Sequence, residues 1–257
     1  MIYFLDTGAG VWKIDAHGTL TQIPSQRFHW MTLDASDAFR TAQPPSGPGW
    51  EIDRVSTTPP LLIASDFPIV MGLDGDLYYP SQGSKDLRIL RMMPSGQSVV
   101  LATLPPTTAH GPLDHLNGLA TGPDGSLYYT EDDAIRRITP QGQVSAVVKD
   151  LVLTGCAPIP GNEGPFLRGL AVDAHGTIYV AASGCGRVLK VTPDGHVSTV
   201  IQLRSPWSPT AVALFGNEIY VEEYLHTAAE DRRAWVPRVR KIASSGSSAI
   251  IATVERQ

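Results

Sequence analysis

The chain repeats a pattern that is clearest in residues 116–148, LNGLATGPDGSLYYTEDDAIRRITPQGQVSAVV, and in residues 167–201, LRGLAVDAHGTIYVAASGCGRVLKVTPDGHVSTVI. Each copy reads as an apolar strand, a turn with glycine, a strand with aromatic or branched residues, a loop, a third strand, a P-x-G turn and a fourth strand. This order predicts a four-stranded antiparallel meander.

Working outward, weaker copies cover the rest of the chain. They include PTAVALFGNEIYVEEYL from Pro209, FPIVMGLDGDLYYPSQGSKDLRIL from Phe67 and IYFLDTGAGVWKIDAHGTLTQI from Ile2. A degenerate copy uses HWMTLDASDAF, WEIDRV and LLIAS as its strands. Spacings of about 40 to 50 residues are typical of propeller blades. We therefore predict one all-β domain, a six-bladed β-propeller, with blades at residues 1–24, 28–64, 66–104, 116–150, 167–203 and 209–255. A β-sandwich is the alternative fold, although a sandwich does not require a repeated strand-turn-strand sequence.

The composition narrows the partners. The formal net charge is −5, which argues against a nucleic-acid or anionic-membrane surface because such partners need clustered positive charge. No apolar run approaches the roughly 18 residues of a membrane-spanning helix. We therefore expect a small-molecule ligand, no nucleic acid and no membrane.

The repeated core in GLATGPDGSLYYT and GLAVDAHGTIYVAASG resembles the NHL-repeat family of β-propellers. The resemblance covers nearly the whole chain and implies a propeller fold. It does not fix the activity, because the shared positions are mostly turn glycines and packing residues.

The first copy starts at Met1-Ile2-Tyr3, which corresponds to a second strand. We expect this blade to lack its innermost strand, and the unpaired edge predicts self-association there. The natural precursor is then expected to be longer. If the upstream part includes a signal, the protein is exported to the periplasm or the outside, and otherwise it is cytoplasmic.

The residues that open the innermost strands are expected to face the channel mouth, on the side where the loops are long and irregular. They are His29, Phe67, Asn117, Arg168 and Thr210. Propellers of the gluconolactonase or lactonase type, which this chain distantly resembles, place carboxylate and amide ligands for a hard cation at such positions. Only Asn117 matches clearly, and Arg168 would repel a cation. A divalent cation therefore stays a hypothesis, and no other cofactor is indicated.

Two adjacent acids open the longest loop of the last copy. Glu222 and Glu223 are followed by His226, and a carboxylate that turns inward would pair with Arg168 or act as a general base. NHL-type repeats often have an acid at the position of Glu223 that caps the loop, so a structural role is the alternative. The candidate catalytic residues are His29, Asn117, Arg168, Glu222, Glu223 and His226.

Several loop features on this side have both a functional and a structural interpretation. The run HGPLDHLNG, residues 110–118, suits a metal or acid-base cluster by residue type but matches no zinc spacing, and the run EDRR, residues 230–233, suits either surface ion pairs or anion recognition. Cys156 and Cys185 fall on neighbouring loops, so they form either a disulfide or a reactive thiol or soft-metal site. Tryptophans that either stack on a ligand or pack between blades are Trp30, Trp207 and Trp235.

Two classes of function are consistent with these observations. The first is a hydrolase or lyase of a small polar or cyclic molecule at the channel mouth, which the resemblance to lactonase and virginiamycin-type lyase propellers implies. In it, Arg168 would stabilise negative charge and a histidine or glutamate would move a proton. The second is a non-enzymatic module that binds a ligand or a protein with the same face.

Overall fold

The computed structural model describes residues 2–6, 10–23, 30–33, 39–43, 51–56, 61–63, 69–82, 86–104, 116–131, 133–156, 164–225 and 235–255. Within these ranges the regular structure is β-strand apart from one 3₁₀ turn at Ser183–Cys185. The strands form five four-stranded sheets, here named blades 1 to 5, and one three-stranded sheet. None of the helical structure in these ranges is long and apolar enough to cross a membrane.

The first sheets come from the first 103 residues. Blade 1 contains β1 (Ile2–Asp6), β2 (Gly10–Ile14), β3 (Leu20–Ile23) and, later in the chain, β7 (Leu61–Ile63). The three-stranded sheet contains β4 (Trp30–Leu33), β5 (Phe39–Gln43) and β6 (Glu51–Ser56). Blade 2 contains β8 (Val70–Met71), β9 (Leu77–Gln82), β10 (Leu87–Met92) and β11 (Ser98–Thr103).

The remaining blades follow the repeat in chain order. Blade 3 contains β12 (Gly118–Thr121), β13 (Leu127–Thr130), β14 (Ile135–Ile138) and β15 (Val144–Val148). Blade 4 contains β16 (Leu167–Val172), β17 (Ile178–Ala182), β18 (Arg187–Val191) and β19 (Val197–Gln202). Blade 5 contains β20 (Trp207–Phe215), β21 (Glu218–Leu225), β22 (Val236–Ile242) and β23 (Ser248–Thr253).

The meander predicted from the repeat is confirmed in blades 2 to 5, where consecutive strands pair antiparallel. The short turns have the geometry that their sequence predicts. Gly125 and Gly195 adopt φ of 77° and 84°, and their amides donate to the carbonyls of Gly122 and Thr192. This left-handed conformation strains a residue that has a Cβ, which explains the glycine in the P-x-G motif.

The predicted count of six four-stranded blades is wrong for the described residues, which contain five. The difference lies in residues 28–64. There, β4 to β6 form a separate three-stranded sheet, and the segment predicted as its fourth strand, β7, pairs in parallel with β1 instead. Ile63 is fully buried in the cluster that joins blades 5 and 1. Because burial between two blades outweighs local pairing, a three-residue apolar strand settles where it fills the core.

The expectation that the first blade lacks its innermost strand is therefore also wrong. β7 occupies the inner edge of β1, with Ile2, Tyr3 and Phe4 opposite Leu61, Leu62 and Ile63. The unpaired edge that suggested self-association is consequently covered. Association of the chain at another surface stays a prediction.

The sheets are arranged in a ring through their inner strands. β7 contacts β4 and β20, and the contacts continue from β4 to β8, β12, β16 and β20. The apolar faces of neighbouring blades pack on each other, as Tyr128 of blade 3 does in one cluster with Leu170 and Val180 of blade 4. This stacking explains why the strands are apolar on both sides.

The repeated glycine of the GLA motif allows the inner strands to approach closely. A Cβ at Gly118 would lie 2.7 Å from the carbonyl oxygen of Arg168. A Cβ at Gly169 would lie 2.9 Å from Cα of Ala211 and 3.0 Å from the carbonyl oxygen of Thr210. These are backbone atoms of the next blade, which cannot move aside easily. Glycine, which has no Cβ, is therefore the residue that fits at both positions.

We expect Gly169→Ala to lower the free energy of unfolding by about 1–3 kcal/mol, because the added methyl group forces the inner strands of blades 4 and 5 apart. Urea denaturation followed by circular dichroism measures this change. Without the close approach, the same substitution would stabilise the protein by about 0.4–1 kcal/mol through the unfolded state. An increase in stability would therefore contradict this explanation of the motif.

Candidate functional site

The predicted channel-mouth residues open the inner strands of three successive blades. Asn117 precedes β12, Arg168 lies at the start of β16, and Thr210 lies in β20 just before Ala211. Arg168 is 8% exposed and Thr210 is fully buried, while Asn117 is half-buried. His29 and Phe67, which complete the predicted ring, lie outside the described residues.

Hydroxyl groups fix the relative positions of these strand ends. The Thr130 hydroxyl of blade 3 donates to the carbonyl oxygen of Arg168 at 2.9 Å. The Ser183 hydroxyl of blade 4 donates to the carbonyl oxygen of Pro209 in blade 5. The Thr210 hydroxyl donates to the carbonyl oxygen of Glu222 at 3.3 Å. These three hydroxyl groups therefore hold in place the strand segments that carry Arg168, Thr210 and Glu222 at this end of the ring.

Glu222 and Glu223 point to opposite faces of β21, because neighbouring residues of a strand alternate. Both side chains are fully buried. Glu222 pairs with Ala211 in the register of β20, and it occupies the position that Thr130 has in blade 3. Its face also carries Tyr220, which belongs to the cluster shared with blade 1. A buried carboxylate therefore lies between the last blade and the first, near the channel end.

Glu223 faces the other way and is enclosed by two arginines of β22. The Arg238 Nε and Nη2 atoms both lie 2.6 Å from its Oε2, and the Arg240 Nε bonds to its Oε1. These side chains are 15% and 16% exposed. The Arg238 guanidinium also stacks over the Trp207 ring at 3.5 Å. Glu223 therefore has the contacts of a structural ion-pair centre, and these ion pairs do not include Arg168.

Blade 3 contains a simpler version of the same arrangement. Glu131 aligns with Glu223, and its Oε2 accepts a hydrogen bond from Arg136 at 2.7 Å. The arginines of blade 5 were not among the predicted site residues. The signal that identifies them is the alternating sequence VPRVRK of β22. It places Arg238 and Arg240 on the same face of the sheet as Glu223.

The remaining predicted loop residues are only partly described. His226, the run EDRR and the histidines of HGPLDHLNG lie outside the described residues, as does the side chain of Trp30. Trp207 is covered on one face by Arg238, and Trp235 packs edge-on against Tyr224 with ring centroids 6.3 Å apart. Both tryptophans therefore make packing contacts within blade 5.

Cys156 and Cys185 form a disulfide that joins the crossing into blade 4 to the 3₁₀ turn after β17. The turn directly follows Ala182 and contains Ser183, whose hydroxyl anchors blade 5. Arg187 reinforces the crosslink, since its Nη2 donates to the Thr154 carbonyl at 2.7 Å. The disulfide thus fixes loops at the same end of the molecule as Arg168.

The described residues at the channel end do not fit a calcium site. Calcium takes six to eight oxygen ligands, and it prefers carboxylates and carbonyls. Asn117 offers an amide oxygen, but the equivalent position of the next blade carries the fixed positive charge of Arg168. Within the described residues, no three His, Cys, Asp or Glu side chains come together as a metal-binding group.

The family described as "SMP-30/Gluconolactonase/LRE-like region" matches residues 80–228, which are more than half of the chain. The chain belongs to this family. The match takes in blade 3, blade 4 and parts of blades 2 and 5, including Asn117, Arg168 and Glu222. The family assignment is therefore SMP-30/gluconolactonase, and the NHL-repeat resemblance is not confirmed.

Individual members of this and related propeller groups are similar to the chain to different extents. A 6-deoxy-6-sulfogluconolactonase from Pseudomonas putida is 42% identical over 66 residues, which are 26% of this chain and 22% of that protein's length. The chain therefore spans about a fifth of the length of this relative.

Solved structures extend the fold likeness to most of the chain. A calcium-binding protein, regucalcin, from Agrobacterium tumefaciens has a TM-score of 0.57 at 17% identity, covering 88% of this chain and 78% of that one. Virginiamycin B lyase from Staphylococcus aureus has a TM-score of 0.54 at 15% identity, covering 95% and 78%. At these identities the likeness concerns the propeller fold alone.

Proposed function

We propose that this member of the SMP-30/gluconolactonase family is an enzyme that hydrolyses a small cyclic ester at the channel end. The observation that carries the proposal is the burial of two opposite charges, Arg168 and Glu222, at the same end of adjacent blades. Arg168 lies on β16, which packs against β20, and the Thr210 hydroxyl of β20 donates to the carbonyl oxygen of Glu222. Burying charged groups costs free energy that surface positions avoid. Such groups at the loop-rich end of a propeller favour a functional role.

Arg168 is the group that stabilises negative charge in this proposal. When water adds to the carbonyl carbon of a lactone, the carbonyl oxygen becomes an oxyanion. A guanidinium in a water-poor site stabilises that charge, and removing one such donor typically reduces kcat by about 10²–10³. The Asn117 amide, at the same position of the preceding blade, supplies a further hydrogen-bond donor.

Glu222 is the general base. Its carboxylate takes a proton from the attacking water, the new C–O bond forms, and the ring C–O bond breaks to give a hydroxy acid. The proton taken by Glu222 then passes to the leaving alkoxide, so the carboxylate is regenerated. A lyase would use the same two groups differently: Glu222 would remove a C–H proton, and Arg168 would stabilise the resulting anion.

The comparisons support the hydrolase more than the lyase. The curated relative with 42% identity is named for a lactonase activity, whereas the lyase resembles this chain in fold. Because the described residues do not fit calcium, no step here involves a metal. Regucalcin is called a calcium-binding protein, so the experiment also tests whether activity requires a divalent cation.

The experiment is a lactone screen with purified protein, in which acid release is measured in parallel with added CaCl₂ and with EDTA. We expect turnover of a lactone, and we expect Arg168→Met and Glu222→Gln each to lower kcat by about 10²–10³. Arg137→Met is the matched control, because Arg137 pairs with Asp124 at the opposite end of blade 3. Circular dichroism confirms that each variant is folded.

Three results would contradict parts of the proposal. Saturable ligand binding without product would favour a non-enzymatic binding module. Turnover that is unchanged in folded Arg168→Met and Glu222→Gln would remove these residues from the mechanism. Activity that EDTA abolishes and CaCl₂ restores would show that a cation is required after all.

We also propose that the protein works in an oxidising compartment, since disulfides persist there and are rare in the cytosol. Fractionation of the native host followed by mass spectrometry tests this proposal. Recovery of Cys156 and Cys185 as free thiols from the cytosolic fraction would contradict it.

A further inference from the structure

A carboxylate lies between a tyrosine and a basic side chain at the short-turn end of two blades. In blade 2, Asp74 accepts a hydrogen bond from the Tyr78 hydroxyl at 2.7 Å and lies 3.1 Å from Arg91. In blade 5, Glu218 accepts from the Tyr220 hydroxyl at 2.9 Å and lies 2.7 Å from Lys241. In both blades, the tyrosine and the basic residue are direct partners in the strand register.

Blade 3 keeps the ion pair of this arrangement. Tyr128 is the register partner of Arg137, whose Nη2 bonds to the Asp124 carboxylate. Asp124 lies in the same position of the first turn as Asp74. The acid, the tyrosine and the base are therefore a recurring feature of the blades.

Blade 4 has the tyrosine and the base but not the acid. Tyr179 and Lys190 are register partners, while the turn position of Asp74 and Asp124 is occupied by His175. Asp173, two residues earlier, uses its Oδ1 to accept hydrogen bonds from the amides of His175 and Thr177, at 2.8 Å and 2.9 Å. Lys190 forms no ion pair with any residue of the described ranges.

A cavity of about 470 Å³ opens at the same place, between blades 4 and 5. Tyr179, Lys190 and His175 line it, together with the turn residues Asn217 and Ser244. Its apolar wall consists of Val200, Leu214, Ile219 and Ile242. The cavity lies at the far end of β16 from Arg168, so it is separate from the proposed catalytic site.

The cavity is lined by charges of both signs. The Glu218 carboxylate is paired with Lys241 and Tyr220, and Asp173 uses its Oδ1 to accept from the turn amides. The Lys190 ammonium, which has no ion-pair partner among the described residues, is the charge that would attract an anionic ligand. Burial first, and the charge of Asp173 second, raise the pKa of Tyr179, so its hydroxyl remains a hydrogen-bond donor. Lys190 is a further donor with a positive charge, and charge-assisted hydrogen bonds to a carboxylate are the stronger kind.

We propose that this cavity is a second ligand site, which binds a small carboxylic acid with an apolar body. The ligand carboxylate takes the place that Asp74 has in blade 2, between the Tyr179 hydroxyl and the Lys190 ammonium. The apolar body lies against the wall formed by Val200, Leu214, Ile219 and Ile242. This site does not depend on the proposed lactonase activity.

Benzoate titrated into ¹⁵N-labelled protein tests the proposal, and benzyl alcohol is the matched neutral probe. We expect saturable shifts of the backbone amides in the turns around His175, Asn217 and Gly246, and at least tenfold weaker binding of benzyl alcohol. Shifts centred on Asn117 and Arg168 instead, equal binding of the two probes, or no saturable shift with benzoate would each overturn it.

Variants distinguish binding at this carboxylate site from non-specific binding elsewhere on the protein. We expect Lys190→Met to weaken benzoate binding at least tenfold, whereas Lys13→Met, the equivalent change opposite Tyr3 in blade 1, leaves it unchanged. His175→Asp restores the internal carboxylate and is expected to abolish binding in a folded protein, while His175→Asn retains it. Benzoate binding that survives in His175→Asp or in Lys190→Met would overturn the proposal.

Discussion

Replacing Glu223 with glutamine is expected to lower the free energy of unfolding by about 3–5 kcal/mol, the usual cost of removing one partner from a buried ion pair. The carboxylate is fully buried and contacts both Arg238 and Arg240. Without it, two guanidinium groups that are about 15% exposed face each other with no negative charge between them. Chemical denaturation of the wild type and the variant measures the difference.

Glu218→Gln is the control on the same strand. Glu218 pairs with Lys241, but these side chains are 34% and 36% exposed, so water screens the pair and replaces it readily. We expect little change in stability for this variant. Equal destabilisation by the two substitutions would show that burial of the Glu223 ion pairs is not what matters.

The same experiment separates the two adjacent acids. If Glu223 is structural, kcat of folded Glu223→Gln at low temperature stays within a small factor of wild type, whereas Glu222→Gln loses activity. A folded Glu223→Gln protein with the larger loss of kcat would instead assign the base to Glu223.

Removing the disulfide with the double variant Cys156→Ser/Cys185→Ser is expected to lower the free energy of unfolding by about 2–4 kcal/mol. The crosslink closes a loop whose ends are 29 residues apart, which restricts the unfolded chain. It also restrains the turn that carries Ser183, so hydrogen exchange at Ser183–Gly186 is expected to accelerate. Denaturation and exchange measurements test the two effects separately.

Dithiothreitol on the wild type supplies the control for side-chain size, since it breaks the bond without changing a residue. Reduced wild type and the double variant are expected to lose similar stability. If both are as stable as the oxidised protein, the network of Arg187 and Gln202 holds this loop without the crosslink.

The repeat predicts the blades well where each strand pairs with its neighbour in sequence. The predicted blade of residues 116–150 contains β12 to β15, and the blade of residues 167–203 contains β16 to β19. The repeat does not predict the pairing of Leu61–Ile63, because three apolar residues carry no register information of their own. Their position is decided by burial against blades 5 and 1, which is a property of the assembled ring.

For the candidate site, too, the local strand pattern is predictable from the sequence, whereas contacts between strands are less so. Alternation along β21 predicts that Glu222 and Glu223 face opposite ways, and the structure agrees. The repeat alignment suggests Arg168 as the partner of whichever acid turns inward, because Arg238 and Arg240 lie outside its aligned core. Charges directly opposite and two positions along the neighbouring strand are better candidates than a charge in another blade.

The pairing of β7 with β1 also constrains the order of events during synthesis. A chain emerging from the ribosome makes β1, β2 and β3 early, but their sheet gains its fourth strand only after residue 63 has emerged. Until then the inner edge of β1 is available to other chains, a state in which partly made β proteins aggregate. Slow translation through residues 24–60 would lengthen that exposure, so the yield of folded protein should depend on codon usage in this segment.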